Sequence, residues 1–202
     1  MFKKIILAAL LAAPLSAFAS GIYLTAGVGV GTTDVDDIND EVFVSNGIPS
    51  KVDDDLQRAV IGVGVDVNEN LAFEATYMTE AEAEITDDVG AGSKLSLKHS
   101  NIQLAVIGKA PLGAQFALLG KLSANVVATD AAFDVPGVYH YDESDSAVQL
   151  GFGIGASYQV SDRAGIQLML ERIQIKDFVD ESQLSNNDAD VNQVTLAVKF
   201  GF

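Results

Sequence analysis

Few residues in this chain could do chemistry. There is no cysteine and there are only two histidines, which removes disulfides, thiol nucleophiles and cysteine metal sites. His99 and Ser100 are adjacent in an alternating segment. On a strand they point to opposite faces and cannot share a proton. His140 stands among Tyr139, Tyr141, Asp142 and Glu143, a loop cluster that suits a surface contact better than a catalytic dyad. No set of nucleophile, base and orienting group can be assembled, so the chain reads as non-enzymatic. The repeats Gly27-x-Gly29-x-Gly31 and Gly151-x-Gly153-x-Gly155 keep a strict period of two with no helix after them. That points to strand packing rather than phosphate binding. Asp188-x-Asp190-x-Asn192 opens like a calcium loop, but Gln193 replaces the expected glycine and Lys199 the closing glutamate, so the match fails. No metal and no cofactor is expected.

Charge narrows the partners. Acidic residues number 28 against 12 basic ones, for a formal net charge of -16 over 202 residues. Such a surface argues against nucleic acid. Much of the charge falls in one loop, at Asp34, Asp36, Asp37, Asp40, Glu41, Asp53, Asp54 and Asp55. A solvated charge run is the usual meaning; bridging by divalent cations to anionic headgroups or a partner is the open alternative. Within that loop, Val42-Phe43-Val44 is apolar and suits a contact patch or a strand extension.

The first segment is an address. Lys3 and Lys4 precede an apolar stretch from Ile5 to Leu15, and Ala17-Phe18-Ala19 has the small-x-small cleavage pattern. Residues 1–19 are expected to be a secretory signal, with the mature chain starting at Ser20. With 49% hydrophobic residues the chain is not disordered. No later apolar run reaches 18 residues, so no membrane-spanning helix is expected after the signal.

The rest of the chain alternates with period two. Val194, Leu196, Val198, Phe200 and Phe202 alternate with Thr195, Ala197, Lys199 and Gly201. Seven other segments do the same, beginning near residues 22, 61, 71, 102, 116, 148 and 166. This predicts eight strands. The connections near 67–70, 110–113 and 160–163 are short. Those near 33–56, 86–94, 131–145 and 177–190 are long. Short and long connections alternate, so all short turns belong at one end of the sheet and all long loops at the other. The polar face is mostly small or uncharged, while charge crowds into the loops. A soluble sandwich would reverse this arrangement. A membrane barrel turns its apolar face to lipid and its polar face to the lumen, and closing the sheet satisfies every backbone group, as hydrocarbon requires. The fold expected is all-β: an eight-stranded antiparallel up-and-down transmembrane β-barrel.

An eight-stranded barrel is just wide enough for side chains to fill it. Arg58, Glu74, Lys121, Glu171 and Lys199 have luminal parity, with Asp66 and Lys109 near the short-turn rim. Buried charge needs partners. Counting depth from the short turns pairs Glu74 with Lys199, and Glu171 with Lys121 or Arg58. Tyr23 is an aromatic of luminal parity, unlike Phe73, Phe116, Tyr158 and Phe200. Two breaks of parity remain. Leu95 and Leu97 are odd where Ile102, Leu104 and Val106 are even, which requires either a bulge between Lys98 and Asn101 or an upper strand outside the membrane. Arg172 has lipid-facing parity, while Ile173 and Ile175 suggest a second shift; without one, Arg172 would reach toward outer-leaflet phosphates.

A signal, eight alternating strands, short turns, long loops and a terminal aromatic together resemble the OmpA-like outer-membrane barrels, including the opacity-type proteins. The resemblance covers essentially residues 20–202, and its most specific part is the final strand ending in Phe202. It implies the outer membrane of a Gram-negative bacterium, lipid and lipopolysaccharide as surroundings, and Phe202 as the signal read by the barrel-assembly machinery. It also implies no cell-wall tether, because the peptidoglycan-binding domain of larger members has no counterpart after Phe202. The functions it implies are a structural or surface-interaction role, adhesin- or opacity-like, through four long extracellular loops and an extracellular ligand. The alternative is a small, cation-preferring channel gated by a luminal ion-pair network.

Overall fold

A computed structural model describes residues 21–87, 92–175 and 189–202. The expected signal segment and most of the fourth long connection lie outside the described residues. β1 (Ile22–Asp34) leads through a helix, α1 (Asp36–Val42), and a single 3-10 turn (Val44–Asn46) to a short β2 (Ser50–Asp53). Then follow β3 (Asp55–Asn68), β4 (Leu71–Asp87), β5 (Lys94–Pro111), β6 (Phe116–Val135), β7 (Tyr139–Gln159), β8 (Ala164–Ile175) and β9 (Ala189–Gly201). Each long strand pairs antiparallel with its neighbours in the chain, and β1 pairs with β9 to close the ring. The barrel therefore has eight staves; β2 is a short addition on the upper part of β4.

Side-chain direction follows the period of two. Leu196, Val198, Leu150, Ile154, Leu122 and Ile61 lie on the outer wall, each about half exposed or more. Along β7 the outward apolar run from Val148 to Tyr158 spans roughly 25 Å at an ordinary strand rise and tilt, the height of a hydrocarbon layer. Phe200 and Phe202 stack edge to face at 5.7 Å at the short-turn end of this band. The Phe202 amide donates to the Ile22 carbonyl, so the last residue is tied to the first stave.

Two of the four long connections are shorter than expected. The connection near 131–145 is mostly strand: β6 and β7 remain paired up to Val135 and Tyr139, and only 136–138 turn. β6 and β7 hold 20 and 21 residues, about twice what a tilted strand needs to cross hydrocarbon. Their outer halves form a hairpin standing beyond the apolar band. Cross-strand backbone hydrogen bonds hold it without an apolar outer face, which is why alternation did not mark it. The second connection likewise narrows to 88–93.

Above the band the barrel inverts. Val35, Ile38, Phe43, Leu56, Ile85, Leu97, Ile173, Ile175 and Val191 form a buried apolar cluster inside the mouth. Glu80 and Glu82 carry the outer face beside Lys98, at 3.7 and 3.8 Å from its ammonium. This resolves the parity breaks. β5 keeps one phase throughout, with Leu95, Leu97, His99, Asn101 and Gln103 all inward and buried. The strand has left the membrane, so its inner face becomes the apolar one. The bulge that does occur lies on β4, between Met78 and Ala81, opposite Ser100. In β8, Ile173 and Ile175 are inward with no shift, and Arg172 is outward.

The acidic loop supplies the lid of this mouth. α1 is amphipathic: Val35, Ile38 and Phe43 are buried, whereas Asp34, Asp36, Asp37 and Asp40 face solvent. Phe43 meets Phe133 edge to face at 6.4 Å. Val42-Phe43-Val44 is thus neither a strand extension nor an open patch; its central ring is the seal and Val44 is exposed. Asp53 and Asp55 are also exposed, and Asp54 is partly covered. A helix of seven residues is not stable alone in water, so packing holds it. Phe43→Ala should cost about 3–5 kcal/mol of lid stability. It should speed proteolytic cleavage at 44–49 while leaving the heat-resistant barrel mobility on gels intact.

Candidate functional site

Among the described residues, the lumen is where the fold buries opposed charges. Its lower end is a vestibule of about 440 Å³, open between the short turns and lined in part by Tyr23, Asp66, Lys109 and Lys199. Asp66 accepts from both lysines, at 3.0 Å from Lys109 and 2.8 Å from Lys199. The Lys199 ammonium also lies 3.6 Å from the centre of the Tyr23 ring, an arrangement that favours the cation. The expected pair of Lys199 with Glu74 does not form. Tyr23, 2% exposed, fills the lumen at that height, and the long lysine bends over its face to the rim. The ring has room because residue 64 is glycine: a Cβ there would meet the Tyr23 Cζ at 2.2 Å.

The middle layer carries the other charges. Lys121 Nζ is 2.9 Å from Glu171 and 3.8 Å from Glu74, so Lys121 joins two carboxylates that depth counting had assigned to different layers. Strand tilt brings β4, β6 and β8 to one height. Glu74 also accepts from Thr25 at 3.1 Å and Thr76 at 3.2 Å. Glu171 accepts from Gln103 at 3.3 Å and Gln193 at 3.2 Å. Arg58 meets no carboxylate among the described residues. Its Nε donates to the Gln193 carbonyl oxygen at 2.8 Å, and Gln193 donates onward to Glu171. Of the two partners open to Glu171, Lys121 makes the direct contact, and a neutral amide relays between Arg58 and the same carboxylate.

Several members of this network carry no charge, and charge parity alone overlooks them. Asn125 accepts from Asn101 at 2.9 Å and from Gln103 at 3.0 Å. Inward parity at 101, 103, 125 and 193 was the available signal. Near the apolar mouth, Arg58 Nη1 and both ring nitrogens of buried His99 have no hydrogen-bond partner among the described residues. Ser100 faces the other way and is partly covered, so the pair forms no dyad. His140 is exposed on the β6–β7 hairpin, 3.5 Å from Asp142 and 3.8 Å from Asp134. Among the described residues no group of three or more acidic or histidine side chains could hold a metal.

The layer is a polar plug sealed above by the apolar mouth. Removing one partner of a buried pair leaves the other charge uncompensated, a loss of about 3–5 kcal/mol. Glu171→Ala should therefore lower unfolding stability in lipid vesicles by that order. Lys121→Met added to it should recover only part of the loss, because Glu74 then loses its cation; a single Glu171→Ala variant as stable as the parent would dismiss the network.

Known proteins agree with this architecture. Residues 5–202 match the family model described as the outer membrane protein beta-barrel domain. No curated protein sequence matches the chain. Among solved structures, it resembles Ail, the attachment invasion locus protein of Yersinia pestis, at 15% identity and TM-score 0.55, covering 91% of this chain and 99% of that one. Neisserial surface protein A gives 16% and 0.55, with 91% and 98% covered. OprG, an outer membrane protein of Pseudomonas aeruginosa, gives 13% and 0.53, with 91% and 97% covered. At these identities the likeness is one of fold. The family match spans nearly the whole chain, and with the closed ring and its apolar outer band it assigns the protein to the outer-membrane β-barrel family of Gram-negative bacteria.

Proposed function

We propose that this is a non-enzymatic surface barrel whose extracellular end is the working part. The observation that carries the reading is the length of β6 and β7. About half of each stands above the apolar band as a paired, polar hairpin, a rigid platform rather than a floppy loop. Its outward groups are acidic: Asp130, Asp134 and Asp142 accompany the exposed carboxylates of α1 and of β4. A partner for this face is a cationic protein surface. Ail has been crystallised with the heparin analogue sucrose octasulfate; a polysulfated saccharide is the opposite charge class and suits this face poorly. The barrel supplies the anchor in lipid and lipopolysaccharide. Cleavage after Ala19 exports the chain, and Phe202 is the residue that the assembly machinery reads.

The rival reading is a small cation-preferring channel gated by the luminal pairs. Lys121, Glu74, Glu171, Gln103 and Asn125 occupy the section, and Ile38 and Phe43 close the mouth, so conduction would require both to move. Mature protein in planar bilayers should stay silent, and Glu171→Ala and Lys121→Ala should not create steady conductance. Reproducible current altered by those variants would instead make the barrel a gated pore. Shortening the hairpin by removing 131–143 should abolish binding of cells to a cationic protein partner while the barrel still folds.

A further inference from the structure

The vestibule at the short-turn end stops against apolar side chains. Tyr23, Ala72, Ala105, Ile107, Leu119 and Met169 form a buried apolar cluster in this part of the lumen. Four of them, Tyr23, Ala72, Ile107 and Leu119, also line the vestibule and make its ceiling. Lys121, Glu74 and Glu171 line no part of it. The space exists because the inner wall is built from small residues at Ala117, Ser157 and Gly165. This is the shape of a pocket, closed at its inner end and open at the turns.

The walls are sorted by charge. Inside, Lys109 and Lys199 share Asp66, at 3.0 and 2.8 Å, and neither makes an ion pair with a second carboxylate among the described residues. One carboxylate cannot neutralise two ammoniums, so a unit of positive charge is left over in the pocket. Lys109 directs one of its three donors at Asp66. At the mouth the sign reverses. Glu69 and Asp162 are exposed, line the vestibule, and belong to turns on opposite sides of the ring. On the inner wall Gln167 is 8% exposed and lines the space, yet its amide makes no hydrogen bond among the described residues. A buried amide whose donor and acceptor are both idle is a demand for a partner. Its register neighbours, Ser157 and Ala197, are small and leave room beside it.

A ligand that meets these walls carries a carboxylate for the lysines, an amide for Gln167, an apolar group for the ceiling and a cation for the mouth. Phosphate offers nothing to the ceiling and is repelled at the rim, and a lipid of the surrounding bilayer does not reach the lumen. A short peptide has all four groups in one chain. About 440 Å³ is near the lower end of small-molecule sites and suits about three small residues. We propose that the vestibule binds short peptides with free termini, entering by the C-terminal end. The carboxylate lies on Lys109 and Lys199, the last peptide group on Gln167 and the last side chain under Ile107 and Leu119. The amino end stays between Glu69 and Asp162. With the long connections facing outward, this pocket opens to the periplasm.

Isothermal titration calorimetry of the refolded protein in micelles tests this, using alanyl-alanyl-leucine, its C-terminal amide, its N-acetyl form and alanyl-alanyl-serine. The free tripeptide should bind about tenfold tighter than the amide, the size of one charged hydrogen bond. It should bind about tenfold tighter than the serine peptide, from apolar area lost at the ceiling, and about threefold tighter than the acetylated form. Lys109→Gln should weaken the free acid about tenfold and leave the amide unchanged, a split that a merely structural lysine would not give. Ala117→Phe, or Ser157→Phe if the first fails to fold, should fill the pocket and abolish binding. Lys98→Gln, on the outer wall, should change nothing. Acid and amide bound equally, inorganic phosphate bound as tightly as the tripeptide, or no binding of any peptide would overturn the proposal. Binding to purified protein does not depend on which way the barrel faces. Protease cleavage of the β6–β7 hairpin on intact cells therefore tests the surface reading separately: an uncut hairpin would sink that reading and leave the pocket standing.

Discussion

Closure of β1 on β9 is the constraint from which the rest of the structure follows. Hydrocarbon offers no partner to a backbone amide, so a sheet in a bilayer cannot keep an edge. The register from Tyr23 with Gly201 to Asp34 with Asp190 removes the edge over the full length of both strands. Closing eight staves also sets the width of the lumen, leaving space for side chains and little else. Once the ring is shut, every second residue must enter that narrow space, whatever its chemistry. Arg58, Glu74, Lys121 and Glu171 are buried because parity puts them there.

A buried charge cannot be left alone, and the lumen meets this demand with few charges and many amides. Lys121 spans two carboxylates, each of which takes further bonds from threonine or glutamine. Gln193 carries the interaction of Arg58 to Glu171 without adding charge. Amides suit this role because each offers both a donor and an acceptor. Lower down, the face of Tyr23 holds a lysine that would otherwise lack contact on one side. Two of these bridges cross staves that are not neighbours, Lys121 of β6 to Glu171 of β8 and Arg58 of β3 to Gln193 of β9, and this locks the section of the barrel as well as filling it.

The sequence made inside and outside legible because both are properties of parity, and parity survives errors of several residues in strand ends. Pairing was less legible, because it depends on tilt and on how far a side chain reaches. Lys199 and Glu74 share a depth along the chain, yet the Tyr23 ring and the Asp66 carboxylate decide where the lysine goes. The hairpin of β6 and β7 was hidden because strands beyond the membrane need no apolar outer face, so 131–145 lacked the signature that marks a crossing. The lid was hidden for another reason. Val35, Ile38 and Phe43 follow a helical spacing too short to register, inside a run dominated by aspartate.

The hidden hairpin and the parity breaks share one cause: the barrel changes solvent part-way along its axis. In the band, lipid lies outside and polar groups inside. Above it, water lies outside and an apolar core fills the mouth. Leu95 and Leu97 keep the phase of Asn101 and Gln103 while reversing their character, and Ile173 does the same after Glu171. A break in hydrophobic parity along a barrel strand therefore need not signal a bulge. It marks the membrane surface, and at that surface this chain places its lid, its ion-paired outer wall and Arg172.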